Sequence, residues 1–358
     1  MPNGVRLQTW FLGIIAFGII LFLLVQAQFI LISLVIAIIL FSLTSDAINS
    51  IARLGIGRLR VPMVLASVVA LVLVTAGLLT LTAVVLAQAN TVVLTVLEYA
   101  EPAQRAVADL FAWMGADVEA AVLQTMQEVQ FGNYLRAAAG QASSLVQATV
   151  LIILFVGFLF AERIWFSTKL TSLLGDEGQA AQAKMIIGSI MHRVNRYLLV
   201  KTLVSAATGF LTYLVIKAFG VELAVALGIL TFVLNYIPNI GSIVATVAAA
   251  LVGYIQTGDQ VVGLGLLAAL TVIQFTIGQV IDPLLLGRAL RLSSFGIIIS
   301  LAFWAAVWGI PGMFLAVPIM VAVMIVCSHV VGLRPIAVLL SRQGLPDTDT
   351  GFRRTGSE

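Results

Sequence analysis

The chain has 358 residues, of which 61% are hydrophobic and only 10% are charged, and its net charge is +3. A soluble domain is usually about 45–50% apolar and about 25% charged, so too few charges remain here to cover a surface that faces water. A single cysteine excludes an internal disulfide, and two distant histidines exclude a His-rich metal site. The sequence also contains no P-loop, no H-E-x-x-H zinc motif and no G-x-S-x-G nucleophile motif. Composition and motifs therefore predict an all-α polytopic membrane protein that is not an enzyme and needs no cofactor.

Long apolar runs predict about six full membrane-spanning helices, because roughly twenty apolar residues cross the hydrocarbon core of a bilayer. In chain order these runs are Trp10–Val25, Phe29–Leu43, Met63–Ala87, Ser144–Phe160, Tyr197–Phe219 and Val261–Ile281. Two more apolar segments, 221–255 and 293–332, are interrupted by glycine and proline. The segment 88–143 has apolar residues at helical spacing, which predicts two or three short amphipathic helices.

The loops differ in their content of lysine and arginine. Basic residues are concentrated in 44–62, 161–196 and the tail after 332, whereas 88–143 has two arginines against six acidic residues. Cytoplasmic loops carry the excess of basic residues in membrane proteins, so both termini are expected in the cytoplasm and 88–143 is expected outside. The same bias accounts for the positive net charge, which needs no nucleic-acid partner.

The first interrupted segment, 221–255, has two apolar arms that are each too short to cross the membrane. Each arm has about 14 residues, or about 21 Å of helix, against a hydrocarbon core of about 30 Å. Between the arms, Pro238 disfavours helix and Gly241 permits a sharp turn. The turn also carries three polar side chains, those of Asn235, Asn239 and Ser242. Irregular backbone is tolerated at membrane depth only inside protein or beside a water-filled cavity, so a re-entrant helical hairpin with a polar tip is expected.

The second interrupted segment, 293–332, resembles the first when Pro311 is aligned with Pro238, 73 residues earlier. Ser293 is expected to cap its first helix, and its turn is expected at Gly309–Gly312. Two full crossings of the membrane are the alternative. Each interrupted segment follows one uninterrupted span, so a unit of one span and one interrupted segment occurs twice. The two hairpins would then enter the membrane from opposite sides. Such an inverted repeat places two tips near the midplane, where secondary transporters bind their substrates.

Polar residues within the predicted spans mark the expected solute path, because such residues are costly inside a membrane. One helical face carries a row of them at spacings of three or four, namely Lys201, Ser205, Thr208 and Thr212. Lys201 is expected either to snorkel to the cytoplasmic interface or to face an internal cavity. Gln274 lies on the next full span, which ends at Asp282. Asp282 is expected either to pair with Arg288 or Arg291 or to carry a coupling cation or proton.

These elements divide the chain into five parts. Residues 1–87 hold the first three spans as a scaffold, and 88–143 is an extracytoplasmic amphipathic segment. Residues 144–196 contain the fourth span and a cytoplasmic segment. Residues 197–332 form a transport core of two span-plus-hairpin units, and 333–358 form a cytoplasmic tail.

Several short motifs, most of them in the C-terminal half, form a recognisable set. They are Leu234–Ile243, Asp282-Pro283 with Gly287-Arg288, Leu290–Ser293, Phe303-Trp304, Gly309–Met313, Leu315–Pro318, and Tyr197-Leu198 with Lys201-Thr202. This set resembles the autoinducer-2 exporter family of bacterial membrane proteins, while the N-terminal half matches in pattern only. The sequence departs from that family at 30–33 and 248–250, where relatives often have proline, and at Asp282, where they often have glutamate.

The resemblance implies the export of a small signalling molecule such as autoinducer-2 from a cell with an inner membrane. It implies a homo-oligomer, a pentamer, in which a domain bearing the hairpins moves against a fixed scaffold. Some members of the family are described as sodium- or lithium-proton antiporters, which implies H⁺ or Na⁺ as a coupling ion.

Three functions are compatible with the residues. The first is a secondary transporter that exports a small polar solute by alternating access. Its solute would contact one wall formed by Asn235, Pro238, Asn239, Gly241 and Ser242, and a second wall formed by Gly309, Pro311 and Gly312. Its path or coupling residues would be Lys201, Ser205, Thr208, Gln274, Asp282 and Arg288. The second function is a Na⁺(Li⁺)/H⁺ antiporter that uses Asp282 or Glu222, and the third is a non-transporting membrane scaffold.

Overall fold

The computed structural model describes residues 3–53, 63–109, 114–115, 117–118, 120–121, 124–125, 131–286, 292–342 and 344. Regular structure in these residues is helical, apart from one isolated bridge between Leu292 and Ser341. Among them, seven helices are long and apolar enough to cross a membrane, namely Gln28–Asp46, Leu65–Gln88, Ser143–Glu162, Glu177–Ala218, Ile240–Thr257, Gln260–Leu285 and Ser294–His329. Two apolar helices, Phe11–Gln26 and Ala224–Leu234, are shorter. The prediction of an all-α polytopic membrane protein is confirmed.

The helices of the described residues are numbered here in chain order. They are α1 (Asn3–Gln26), α2 (Gln28–Arg53), α3 (Met63–Asp109), α4 (Phe131–Glu162), α5 (Phe166–Leu174), α6 (Glu177–Ala218), α7 (Ala224–Leu234), α8 (Ile240–Thr257), α9 (Gln260–Thr276), α10 (Asp282–Leu286), α11 (Ser294–His329) and α12 (Arg334–Leu340). A π-helical turn, Ile277–Ile281, joins α9 to α10.

Helices α3 and α4 extend well beyond the apolar runs from which they were predicted. Helix α3 continues without a break to Asp109, so the first part of the segment 88–143, for which two or three short helices were predicted, prolongs the third span. Helix α4 already begins at Phe131. The physical reason is cooperativity, since extending an existing helix by one residue costs far less than nucleating a new one. Most of the side chains between 92 and 142 lie outside the described residues.

The chain divides into two compact units. The first unit comprises Met1–Ala76, Ala148–Tyr197 and Arg288–Glu358. In its core, Val307, Trp308 and Leu315 of α11 pack against apolar side chains of α1 and α2. The Trp308 indole Nε1 donates a hydrogen bond of 2.9 Å to the carbonyl of Leu24, which ties α11 to the end of α1.

Helix α11 folds back on itself within the first unit. Ser293 caps its start by accepting a hydrogen bond from the Gly296 N–H at 3.0 Å, as predicted. At Gly309 the backbone leaves the helical region, with φ 61° and ψ −141°. The Ser300 hydroxyl then donates to the carbonyl of Ala316 at 2.8 Å. In a straight helix these residues would be about 24 Å apart, so the two halves of α11 lie side by side. Their return to the same membrane face stays a prediction.

The second unit comprises Gly77–Gln147 and Leu198–Gly287. Its core joins α6, α7, α8 and α9 through a set of buried apolar residues: Ile216, Val221, Leu223, Ala224, Ala226, Leu227, Ala249, Ala250, Leu266 and Leu270. Helices α6 and α7 cross at Gly209 and Gly228. A Cβ built on Gly209 would lie 2.6 Å from the Gly228 carbonyl oxygen, so only glycine allows this approach. The crossing fixes the end of α7 beside the polar face of α6.

Candidate functional site

The candidate site lies in the second unit, at the non-helical residues 235–239 between α7 and α8, called here the Asn239 tip. Asn239 has φ 63° and ψ −48°, and it is the only residue other than glycine with positive φ in the described chain. The Ile240 N–H donates to the Pro238 carbonyl at 2.7 Å, which closes a three-residue γ-turn around Asn239. This form of γ-turn is rare and strained. Strain of this kind persists only where the surroundings enforce it, and it is concentrated at functional sites.

Gly241 does not make the turn, contrary to the prediction. It is a buried residue of α8, and a Cβ on it would lie 1.7 Å from the Leu234 carbonyl oxygen. Glycine is therefore required here for the close packing of the two arms, while the reversal of direction falls to Asn239. Short polar side chains such as asparagine tolerate positive φ better than other residues, which explains why the turn needs no glycine.

The two asparagines of the tip have different environments. Asn235 is buried, and its Nδ2 donates to the Ser205 Oγ of α6 at 3.0 Å. Asn239 is exposed, and its side chain makes no capping hydrogen bond to α8. One amide therefore holds the tip to α6, and the other is available for contact with a small molecule.

The backbone carbonyls around Pro238 are largely used within the tip. The Ile237 carbonyl accepts from the Gly241 N–H, and the Pro238 carbonyl accepts within the γ-turn. The Asn239 carbonyl accepts from the Ser242 hydroxyl at 2.9 Å. These bonds stabilise the turn, so its side chains rather than unwound carbonyls are the groups best placed to bind a solute.

The polar face predicted on α6 is buried. Lys201, Ser205, Thr208 and Thr212 are each no more than 4% exposed. Thr208 donates to the carbonyl of Val204 at 2.7 Å, whereas the Thr212 hydroxyl oxygen has no hydrogen-bond partner among the described residues. On the adjacent face, the Thr202 hydroxyl lies 2.7 Å from the Tyr236 hydroxyl. This second link between α6 and the tip was not predicted, although both residues adjoin residues that were.

Lys201 is the first residue of this polar face, and it forms a buried ion pair. Its Nζ lies 2.8 Å from Asp282 Oδ2, and the two side chains are only 5% and 17% exposed. Lys201 therefore does not snorkel to the interface. The prediction that Asp282 pairs with Arg288 or Arg291 involves residues outside the described part, and the partner that the structure gives Asp282 is Lys201. The other carboxylate oxygen, Oδ1, is buried without a partner among the described residues.

The π-helical turn Ile277–Ile281 directly precedes Asp282. A π-turn inserts one residue into a helix and rotates everything after it, and such turns occur frequently at functional sites. It therefore sets the direction in which Asp282 leaves the span. Gln274, one turn further back, is half-buried, and no hydrogen bond joins its side chain to the tip within the described residues.

The turn at Gly309, with Pro311 and Gly312, belongs to the first unit. Gly309 and Pro311 are exposed, and Gly312 is buried with the position of its missing Cβ 2.0 Å from the Trp304 carbonyl oxygen. The turning residues Asn239 and Gly309 are 70 positions apart, whereas the prolines are 73 apart, so the proline alignment does not superpose the two turns. The inverted repeat, and the placing of this turn as the opposite wall of one site, stay predictions.

No group of three or more His, Cys, Asp or Glu residues able to hold a metal ion occurs in the part of the chain that the structure describes. The chemistry on offer at the tip is instead that of neutral amides and hydroxyls, with one buried ion pair about one helical turn from Ser205.

Comparison with known proteins gives evidence that is independent of this geometry. Residues 12–332 match the sequence model of the AI-2E family transporter. The chain is 34% identical over 203 residues to the AI-2 transport protein TqsA of Escherichia coli (strain K12), a match that covers 56% of this chain and 57% of that protein. It is 29% identical over 222 residues to a putative transport protein of Borreliella burgdorferi, covering 60% of each chain. A putative transport protein of Haemophilus influenzae is 30% identical over 184 residues, covering 51% of this chain and 53% of its own length. The chain thus spans little more than half the length of these relatives.

Proposed function

The chain belongs to the AI-2E transporter family, and on that basis we propose that it exports a small, uncharged, polar solute of the autoinducer-2 kind. The observation that carries the proposal is the Asn239 tip, which combines a strained turn with an exposed amide. The relative TqsA is named for the transport of AI-2, which supports this class of solute.

The chemistry of the tip suits a neutral solute rather than an ion. An amide offers both donors and an acceptor, so the Asn239 side chain matches hydroxyl and carbonyl groups of a polyhydroxylated molecule. Asn235, fixed by Ser205, positions the tip rather than binding the solute. Ser242, which bonds to the Asn239 carbonyl, stabilises the turn on its other side.

We propose that the Lys201–Asp282 pair couples transport to protons. Charges inside a membrane are costly and are retained mainly where they serve ion or proton movement. Loss of this ion pair would free the Lys201 side chain, which lies on the same face of α6 as Ser205, the anchor of Asn235. Movement of the tip would then follow proton binding, as alternating access requires. Arg288 stays a proposed coupling residue from the sequence alone, and Thr208 and Gln274 stay proposed residues of the path.

The proposed setting is an inner membrane with both termini in the cytoplasm, as the distribution of basic residues predicts. We also propose a homo-oligomer, a pentamer by the family resemblance, embedded in membrane lipid. Na⁺ is the alternative coupling ion.

The test is solute flux in proteoliposomes that are loaded with labelled autoinducer-2 and subjected to a pH gradient. Wild type is compared with two variants. Asn239→Gly removes the amide and keeps a residue that adopts positive φ. Asn239→Leu removes the amide and also introduces a residue that disfavours positive φ. Both variants should assemble as wild type does by size-exclusion chromatography. Both should lose transport at least ten-fold, because the amide is absent from each.

The results of this flux experiment distinguish a solute exporter from a cation-proton antiporter. Full flux in Asn239→Gly would show that the amide does not bind solute and would overturn the proposed site. Dissipation of the pH gradient by Na⁺ or Li⁺ without any solute flux would favour a cation-proton antiporter. Asp282→Asn should abolish the dependence of solute flux on the gradient, and flux that still follows the gradient in this variant would remove Asp282 from coupling.

A further inference from the structure

A second feature of the second unit is an open groove between α6 and α7, with a volume of about 330 Å³. Apolar side chains line it, among them Phe210 of α6 and Val225, Ile229 and Phe232 of α7. Its floor is the close crossing of α6 and α7 at Gly209 and Gly228, and both glycines line the groove. The volume lies in the range of pockets that hold small ligands.

The groove opens outward rather than toward the tip. Phe210 is 60% exposed and Val225 is 49% exposed, and both belong to helices of a membrane protein. At membrane depth the surroundings of such a surface are acyl chains. A concave apolar surface of this kind accommodates one acyl chain without leaving a void. Inside a membrane there is no hydrophobic effect between apolar groups, so van der Waals packing drives association.

A cation stands at one end of the groove. The Lys217 Nζ lies 3.1 Å from the hydroxyl of Tyr213, a residue of the groove wall, and 5.5 Å from the centre of its ring. Lys217 is exposed in the last turn of α6, and it forms no ion pair with a described carboxylate. Glu222, the nearest acidic residue along the chain, is exposed and is not bonded to it. The tyrosine thus holds the ammonium group at the groove while leaving its charge uncompensated.

We propose that this groove binds a single anionic phospholipid, with one acyl chain along the apolar wall and the phosphate at Lys217. A basic side chain beside a groove between membrane helices attracts the anionic head group of a lipid by its charge. The loop charges predict that this end of α6 faces the extracytoplasmic side, so the lipid would come from the outer leaflet of the membrane. The proposal is independent of the transported solute, because no residue of the Asn239 tip takes part.

The experiment measures lipid that stays bound to the purified protein after exchange into detergent with equal phosphatidylglycerol and phosphatidylcholine, read by native mass spectrometry. Wild type should retain phosphatidylglycerol over phosphatidylcholine. Lys217→Gln should lower that retention by roughly five-fold, the equivalent of one lysine's attraction to an anionic head group, and Lys217→Arg should preserve it. Ala206→Trp fills the groove from an exposed position of its wall and should lower retention of both lipids.

The matched control is Lys184→Gln, which removes an exposed lysine of the first unit and should leave retention unchanged. Addition of excess inorganic phosphate should not displace the lipid, because free phosphate lacks the acyl chain.

Equal retention of both lipids by wild type would overturn the proposal. So would unchanged retention in both Lys217→Gln and Ala206→Trp. A change of oligomeric mass in Ala206→Trp with bound lipid unaltered would assign the groove to a second copy of the chain instead. Size-exclusion profiles establish that each variant is folded.

Discussion

The chain reverses direction inside apolar helices at two places, and the two reversals are built from the same parts with different chemistry. Each has one residue with positive φ, Asn239 or Gly309, and then a buried glycine whose missing side chain lets the arms touch. The Leu234 carbonyl meets Gly241 in the first, and the Trp304 carbonyl meets Gly312 in the second. The backbone problem is therefore the same, and it is solved in the same way.

The side chains around the two reversals differ. The turning residue of the first is an asparagine, and its neighbour Asn235 bonds to a buried serine of α6. The turning residue of the second is a glycine, and Val307, Trp308 and Leu315 beside it pack into an apolar core with α1 and α2. Glycine adopts positive φ without strain, whereas asparagine adopts it with strain and also presents an amide. The two reversals therefore share a backbone solution, and they differ in the side chain that the turning residue presents.

The largest expected effect concerns the buried ion pair between Lys201 and Asp282, which lies in the same unit as the first reversal. Lys201→Met and Asp282→Asn should each lower the free energy of unfolding by about 3–5 kcal/mol, because each leaves a buried partner uncompensated. The double variant should lose less than the sum of the two. Thermal unfolding of the purified protein measures both.

Lys169→Gln is the control for the ion pair, since Lys169 pairs with Glu162 in a bridge whose side chains are 66% and 49% exposed. It should change stability by less than about 1 kcal/mol. Equal small losses at both sites would mean that water reaches the Lys201–Asp282 pair.

The next effect tests what the reversals share. Gly241→Ala and Gly312→Ala should each destabilise by about 3 kcal/mol, since the added methyl would meet a backbone carbonyl that cannot rotate away. Gly188→Ala, in the middle of α6 with open space around it, should be neutral or slightly stabilising. If either of the first two variants melts at the wild-type temperature, the close approach of the arms at that reversal is wrong.

A smaller effect should separate the reversals by function. Ser205→Ala leaves the Asn235 amide unpaired and should cost about 1–3 kcal/mol, together with a loss of solute flux. Ser300→Ala removes the hydroxyl that bonds to the Ala316 carbonyl and should cost about 1 kcal/mol with flux retained per folded protein. Melting curves and flux on the same preparations give both numbers. Equal loss of flux in the two variants would contradict the proposal that the Asn239 tip contributes more to transport than the turn at Gly309.

The smallest effect is expected at the strained residue itself. Asn239→Gly should stabilise the protein by less than about 1 kcal/mol, because relief of strain is partly offset by the greater freedom of glycine in the unfolded chain. Denaturant titration of the purified protein measures the change. A loss of more than about 1 kcal/mol would show that the Asn239 amide has a structural partner and would weaken its role in binding.

Much of this arrangement was predictable from residues close together in the sequence. The apolar runs predict the spans because their length matches the bilayer, and the row from Lys201 to Thr212 predicts a polar face because helical spacing is fixed. Ser293 was identified as a cap from its place before an apolar run. Asn235, Asn239, Pro238 and the turn at Gly309–Gly312 were predicted as interruptions because proline, glycine and paired amides oppose a continuous helix in lipid.

The tertiary structure alone decided which of these residues meet. Asp282 pairs with Lys201, 81 positions earlier, because the core shared by α6 and α9 and the π-turn before Asp282 set directions that no local pattern encodes. The same holds for the roles of Asn239 and Gly241. The sequence shows that this segment contains a turn, but it does not show which residue adopts positive φ. It also does not show which residue must lack a side chain so that the two arms can pack closely. Local spacing thus determined the helices and their polar faces. Packing between helices, which depends on atoms far apart in the chain, determined the partners and the site.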